Sequence, residues 1–251
     1  MIVSHQHRFV FLKTVKTAGT SVEVLLRRFC GPDDIITPIT PIDEKEPVEA
    51  GLPPRNYSAD PERERQYCAL VAEDRLEEAL AYHGRGNIYF NHMEAARLRA
   101  LLGDALLKDY FVFTIERHPY DRAISRAAFD LGMAAYRSGQ ARKAEPDAII
   151  AHIRRRIAAG AASDFSNWHI YTVDDRVVAD AVVFYERMQA GLETVLSRLG
   201  LGGTVDLVES LPYLKGGIRP KGLTGAMLPA DCKKAIQGFC TREFETFGYK
   251  P

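Results

Sequence analysis

The chain has 251 residues, of which 46% are hydrophobic and 26% are charged, and its 33 basic and 33 acidic side chains give a formal net charge of zero. This composition is typical of a globular protein with enough apolar residues for a core. Because a duplex-binding protein normally carries a basic excess, the charge balance argues against nucleic acid as the main partner. A local basic cluster can still bind a small anion.

The sequence predicts neither a targeting signal nor a metal-binding motif. The N-terminal residues predict no secretory leader, and no apolar run approaches the ~18 residues of a membrane span. The four cysteines form no CxxC pair: they are Cys30, Cys68, Cys232 and Cys240. Such scattered thiols predict neither a zinc site nor a disulfide framework. We therefore expect a cytoplasmic protein with no transmembrane segment and no metal.

Strand and helix patterns alternate along the chain. They predict a single α/β domain, residues 1–251, with a central parallel sheet flanked by helices. The predicted strands are Arg8–Lys13, Tyr110–Ile115 and Ala181–Tyr185. The predicted helices are Thr20–Phe29, Glu73–Ala81, one that carries Ala95, Leu98, Leu101 and Leu102, one that begins at Pro119, Pro146–Ala159, Met188–Leu199 and Pro229–Phe247.

The segment 31–65 differs from the rest of the chain, because it contains seven prolines among many acidic residues. Proline removes a backbone donor and blocks regular structure, so the segment predicts a long loop or flap. Its role is either a substrate-side lid or an ordered surface loop. A second irregular segment, the glycine-rich basic loop Gly216–Gly225, is predicted near the C-terminus.

The first predicted strand runs into the hexapeptide Lys16–Ser21, Lys-Thr-Ala-Gly-Thr-Ser, before a helical pattern. The start of a helix presents N–H groups without intrahelical partners and favours negative charge. Gly19 allows close approach to a phosphate, and further donors come from Lys16, Thr17, Thr20 and Ser21. The segment predicts a phosphate-binding turn, and the alternative is an ordinary turn with Thr20 as the N-cap.

This turn is not a nucleotide-kinase P-loop, G-x-x-x-x-G-K-[ST], because Lys16 precedes Gly19. A dinucleotide fingerprint is also absent. A second block follows the predicted strand 110–115, where Arg117 leads to a proline two residues later and to Ser125 eight residues later. Alone, Arg117 would be read as a surface ion pair. Both blocks follow apolar strands, where ligands of open α/β sheets bind.

Together the two blocks resemble the 5′-phosphosulfate loop and the 3′-phosphate motif of the sulfotransferases, which use 3′-phosphoadenosine-5′-phosphosulfate (PAPS) as sulfuryl donor. The final segment Phe244–Tyr249 is similar to the close of many carbohydrate sulfotransferase domains. The resemblance implies a P-loop-like fold, metal-independent transfer to a hydroxyl, and 3′-phosphoadenosine-5′-phosphate (PAP) as product. The implied donor-binding residues are Lys16, Thr17, Ala18, Gly19, Thr20, Ser21, Arg117 and Ser125.

Two features extend or depart from this pattern. Many members have His-Ile-Pro-Lys where this chain has Lys-Thr-Val-Lys at 13–16, so Lys13 adds a second cation near the turn. Arg219 and Lys221, between glycines of the basic loop, are predicted to close over the nucleotide as a mobile clamp.

Transfer of a sulfuryl group needs charge stabilisation at the leaving phosphate oxygen and a proton acceptor. Lys16 is the expected catalytic cation. The candidate bases are several carboxylates and His83, His92, His118 and His169. We favour His92, because Asn91 and Glu94 read as an N-cap and a capping-box acid. A ring in the first helical turn stays neutral near the positive helix end.

The resemblance points to the same base. Glycan 2-O-sulfotransferases carry a catalytic histidine after a short aromatic segment, and Ile88–His92 is similar to that segment. The alternative is a histidine that only packs against the sheet.

The sequence therefore predicts a PAPS-dependent O-sulfotransferase that acts on a hydroxyl of a saccharide or glycoconjugate. The alternatives are a small-molecule kinase with an atypical P-loop and a non-catalytic nucleotide-binding module. Five aromatic side chains either stack on sugar rings or belong to the core: Tyr57, Tyr89, Tyr120, Tyr136 and Trp168.

Overall fold

The protein is an α/β structure. The computed structural model describes residues 1–82, 84, 86–141, 143–161, 164–204, 206–207 and 218–251. The chain divides into two compact units, Met1–Ile115 with His169–Leu214, and Glu116–Trp168 with Lys215–Pro251.

The strands are β1 Ile2–Ser4, β2 Phe9–Leu12, β3 Ile35–Ile36, β4 Phe111–Glu116, β5 Thr172–Val173, β6 Arg176–Val177 and β7 Ala181–Phe184. The α-helices are α1 Gly19–Arg27, α2 Pro41–Glu49, α3 Pro61–Ala72, α4 Leu76–Tyr82, α5 Ala95–Leu102, α6 Asp104–Asp109, α7 Pro119–Arg137, α8 Pro146–Ala158, α9 Met188–Arg198, α10 Ala230–Phe239 and α11 Thr241–Phe247.

The main sheet has five strands in the order β3-β1-β2-β4-β7. Strands β2 and β4 run parallel, with Leu12 opposite Thr114. Strand β1 pairs antiparallel with both β2 and β3, so the sheet is mixed and the prediction of a parallel sheet is wrong for this edge. The reason is the four-residue connection between β1 and β2, which is too short for a parallel crossover and forms a hairpin instead.

The first unit has its own apolar core. All four residues of β2 are buried, and Phe11 stacks on Phe113 of β4 at 5.1 Å between ring centroids. Val22, Leu25 and Leu26 of α1 pack into the same cluster. The predicted strand, turn and amphipathic helix at the start of the chain are confirmed, because short local periodicity determines them.

The prediction of an irregular loop over 31–65 is wrong. The segment contains β3 and α2, and α3 begins within it. Pro41 and Pro61 occupy first-turn positions, where the missing N–H costs nothing, and the Asp60 side chain caps α3 by accepting from the N–H of Glu62. Proline here starts helices as well as interrupting them.

The helices before and after this region also have different limits from those predicted. The helix predicted at Glu73–Ala81 begins at Leu76, because α3 extends to Ala72 and Asp74 adopts a positive φ of 61°. The predicted single helix at the C-terminus is two helices that meet at Cys240, whose thiol donates to the Phe165 carbonyl at 3.1 Å.

The second unit is built from α7, α8, α10 and α11 around a separate core. As predicted, α7 begins at Pro119, and it buries Ala123, Ile124 and Ala127. Over the described ranges of both units, no helix is long and apolar enough to cross a membrane.

Candidate functional site

The loop between β2 and α1 has a strained backbone. Lys16 has φ 63°, and Ala18, the N-cap of α1, has φ 61° and ψ 19°. Left-handed conformations are unfavourable for residues with a Cβ and cluster at ligand sites. Because α1 begins at Gly19, one residue earlier than predicted, the N–H groups of Gly19 and Thr20 have no partner within the helix. These donors are available to an anion.

Two threonine hydroxyls fasten this loop to the sheet. The Thr14 hydroxyl donates to the Ile115 carbonyl, and it lies 2.8 Å from the Thr17 hydroxyl. Thr17 is buried, so its hydroxyl acts within the protein, whereas Thr17 was predicted as a ligand donor. The contacts fix the loop to the end of β4. Within the same loop Lys16 and Ser21 are half-buried, and Ala18 is exposed.

Gly19 is required by a protein contact. A Cβ at this position would lie 2.8 Å from Cγ of Lys13, too close for any real pair of carbons. Lys13 is buried, and its Nζ lies 2.9 Å from Oε2 of Glu23 on α1. The predicted second cation near the turn is therefore held by a carboxylate beneath α1.

Glu23 is the centre of a buried charge cluster. Besides Lys13, it accepts from the Met1 amine at 2.9 Å and from Arg27 at 3.2 Å, and Arg27 also pairs with Glu44. Burial raises the pKa of Glu23, but Lys13 and the other cations outweigh it and hold the pKa well below its ordinary value. Burial outweighs the attraction of Glu23 and lowers the pKa of the Met1 amine to about 5. Glu23 is thus the common acceptor of the cations Lys13 and Arg27 and of an amine, and Glu44 shares the charge of Arg27.

His92 lies in a turn, not in a helix. Helix α5 begins at Ala95 with Glu94 as its N-cap, and His92 has φ 62°, so the predicted capping box at Asn91 is wrong. The His92 Nδ1 lies 2.9 Å from the carbonyl oxygen of Lys13. Since a carbonyl only accepts, Nδ1 carries the proton and Nε2 has the free lone pair.

The neutral state of the His92 ring has a different cause from the predicted one. Burial, and then the Lys13 ammonium, lower its pKa to about 3. The ring is therefore neutral at physiological pH without any contribution from a helix start. Nε2 is the nitrogen that can accept a proton from a substrate.

The other candidate bases fit less well. His118 is the N-cap of α7: its Nδ1 accepts from the N–H of Tyr120 at 3.3 Å, and its Nε2 lies 3.0 Å from the Lys250 carbonyl. Both of its nitrogens are thus engaged. His169 is exposed. His83 lies outside the described residues.

In the second unit, Arg117 follows β4 directly and is buried, with 8% of its surface exposed. The backbone N–H of Arg117 donates to the Glu116 carboxylate at 2.9 Å. Ser125 is half-buried on α7. Glu116 pairs in turn with the buried Arg122, which lies 3.2 Å from Glu243. This cluster fixes the backbone from which Arg117 extends.

Arg219 already has protein partners. Its Nη2 lies 2.5 Å from Oδ1 of Asp121, and its Nε donates to the Leu223 carbonyl at 2.8 Å. Lys221 is exposed. Gly216 and Gly217 lie outside the described residues. The predicted clamp is thus a loop whose arginine is bound to α7.

The aromatic candidates divide between core and surface. Tyr57 is completely buried, and Tyr120 is buried against Phe244 at 5.4 Å between ring centroids. Tyr136 is 47% exposed, and Tyr89 and Trp168 are half-buried.

Sequence reasoning missed the two charge clusters. The one available signal was a pair of opposite charges four residues apart, Glu23 and Arg27, on the otherwise apolar face of α1.

Comparisons with protein-family models, with curated proteins and with solved structures find no match to this chain. Within the described residues there is no group of three or more His, Cys, Asp or Glu side chains that could hold a metal ion. The geometry of the loop 16–21 and of His92 is therefore the basis for a functional proposal.

Proposed function

We propose that the protein is a cytoplasmic PAPS-dependent O-sulfotransferase whose acceptor is a hydroxyl of a saccharide or glycoconjugate. The observation that carries the proposal is the strained loop Lys16–Ser21 at the start of α1, with a neutral His92 bound to the carbonyl of Lys13 at the end of the preceding strand. An anion site and a proton acceptor are the two elements that sulfuryl transfer requires.

The donor would bind with its 5′-phosphosulfate at the helix start. The N–H groups of Gly19 and Thr20, together with the Lys16 ammonium, suit the negative charge of this group. Strands β2 and β4 are parallel neighbours, and ligands of open sheets bind beyond the carboxyl ends of such strands. Arg117, the residue after β4, and Ser125 are proposed to bind the 3′-phosphate.

In the proposed reaction, the acceptor oxygen attacks sulfur while the bond from sulfur to the bridging phosphate oxygen breaks, and PAP leaves. The acceptor proton passes to Nε2 of His92. Lys16 and the helix-start donors stabilise the charge that develops on the leaving oxygen. One such donor typically contributes on the order of 10²–10³ in rate, and a positioned base ~10²–10⁴.

Calorimetry with PAP and with adenosine 5′-phosphate tests the binding site. We expect the native protein to prefer PAP, Arg117→Ala to abolish that preference, and Lys16→Met to weaken both ligands. Lys45→Met and Arg154→Ala are matched controls, because these exposed side chains form surface pairs with Asp74 and Asp231. Equal affinity of the native protein for the two nucleotides would contradict the proposal.

A transfer assay tests the chemistry. Radiolabelled PAPS is incubated with polysaccharide, lipid and small-metabolite fractions of the source organism, and His92→Asn is compared with the native protein. We expect labelled product without added metal and a loss of about 10²–10⁴ in the variant. Mg²⁺-dependent phosphorylation from ATP would identify a kinase instead, and PAP binding without transfer to any fraction would identify a binding module.

A further inference from the structure

Lys13 acts on the imidazole ring of His92, the proposed base, through both its backbone and its side chain. Its carbonyl accepts from Nδ1 of His92, which leaves Nε2 as the basic nitrogen. Its ammonium is one of the charges that act on the ring. A single residue therefore affects both the tautomer and the protonation of His92.

The Lys13 side chain is held in place from two directions. Its Cγ packs over the Cα of Gly19, where no side chain fits, and its Nζ lies 2.9 Å from Glu23. Because the side chain is only 1% exposed, its charge is screened weakly by water. The charge is thus fixed close to the loop that precedes α1.

We propose that Lys13 is the positioning residue of His92, because its carbonyl selects Nε2 as the proton acceptor and its buried ammonium, held by Glu23, opposes a positive charge on the ring until an anion occupies the loop 16–21. This inference deepens the proposed function and rests on it for the identity of the anion. The negative charge of the bound donor would oppose the effect of Lys13, so His92 becomes a stronger base once the donor is in place. Proton transfer is then coupled to donor binding.

Two described groups besides Lys13 act on His92. The Met1 amine also disfavours a charged ring, and Glu23 favours it. Since Glu23 is shared by Lys13, Arg27 and the Met1 amine, it only partly offsets their effect on the ring. By linkage, an anion that makes His92 more basic must itself bind more tightly when His92 is protonated.

The test is a ¹⁵N imidazole NMR titration of His92 in the full chain. We compare the native protein with Lys13→Met and Lys13→Gln, both neutral, and with Lys13→Arg, which keeps the charge. Both neutral variants should retain the Nδ1–H tautomer, because the backbone carbonyl remains, and should raise the titration midpoint by about one pH unit or more. Lys13→Arg should keep the midpoint low. Lys45→Met, on the surface of α2, is the control and should change nothing.

A midpoint that is unchanged in a folded neutral variant, or a native ring protonated at Nε2 instead of Nδ1, would overturn the role of Lys13. Addition of PAP to the native protein should raise the midpoint, and PAP that binds without moving it would overturn the coupling to the donor. Failure of PAP to bind would contradict the proposed function alone. The role of Lys13 is tested separately, because the titrations of Lys13→Met and Lys13→Gln are measured without ligand.

Discussion

The two units contain buried charge clusters of opposite design. In the first unit Glu23 accepts from Lys13, Arg27 and the Met1 amine, and Glu44 shares Arg27. In the second, a single cation, Arg122, faces the carboxylates of Glu116 and Glu243. Each cluster includes a residue at the end of a central strand, Lys13 after β2 and Glu116 in β4. The end of β2 is therefore held by a carboxylate, Glu23, and the end of β4 by a cation, Arg122.

The two units also differ in net charge. By sequence, the first unit has 17 basic and 24 acidic side chains, and the second has 16 basic and 9 acidic ones. The neutral total thus combines net charges of −7 and +7. A strongly basic unit favours an anionic ligand, which the whole-chain balance does not reveal.

The largest expected effect concerns the central residue of a cluster. Arg122→Met leaves two buried carboxylates without their cation and should lower the free energy of unfolding by about 3–5 kcal/mol. Lys13→Met should cost less, because Glu23 retains Arg27. Urea unfolding measures both, with the half-exposed Arg126→Met as control. Equal losses for Arg122→Met and Lys13→Met would show that the comparison between the clusters is wrong.

The next effect tests the contact between Gly19 and Lys13, beneath the loop 16–21. Gly19→Ala should destabilise the protein by about 1–3 kcal/mol, because its Cβ would overlap Cγ of Lys13. In a Lys13→Ala background most of this cost should disappear. Gly238→Ala, in α10 with open space around its Cα, is the control and should be neutral or stabilising. An undiminished cost in the double variant would assign the role of Gly19 to something other than Lys13.

A pH titration of stability tests the lowered pKa of His92. The folded-state pKa of His92 lies below the ~6.5 of an unfolded chain. The contribution of His92 to the free energy of unfolding is therefore complete above pH ~6.5 and is lost as the pH falls toward about 3. Between pH 7.5 and 5.5 the loss should be roughly 1.4 kcal/mol. His92→Asn, which keeps a donor for the Lys13 carbonyl and tolerates positive φ, should flatten this slope. A slope that is unchanged in His92→Asn would contradict the assignment.

The smallest effect probes the strained backbone at Ala18. Ala18→Gly should stabilise the protein by up to about 0.5 kcal/mol. Glycine removes the strain of the left-handed conformation, but it also makes the unfolded chain more flexible, and this entropic cost of folding cancels most of the gain. Ala18→Val should destabilise it, since a β-branched residue is least compatible with φ 61°. Thermal unfolding measures both, and a stabilising valine would be incompatible with the observed backbone.

Much of the fold could be predicted from the sequence because its signals are local. Strands β2 and β4 and helix α5 follow from runs of apolar residues within the element itself. The predictions failed where proline or acidic residues serve two purposes. Pro41 and Pro61 start helices in a segment predicted as a loop, and Glu94 is an N-cap itself, not the capping-box partner of Asn91.

By itself, the sequence determined the order of strand, turn and helix around residues 9–27 and the kinds of donor in the loop, since these depend on neighbours a few residues apart. Only the tertiary structure decided that Lys13 pairs with Glu23, that Gly19 makes room for it, and that His92 binds a carbonyl 79 residues away. Such contacts depend on how strands pair and helices pack, and no local pattern encodes a partner so distant in the chain.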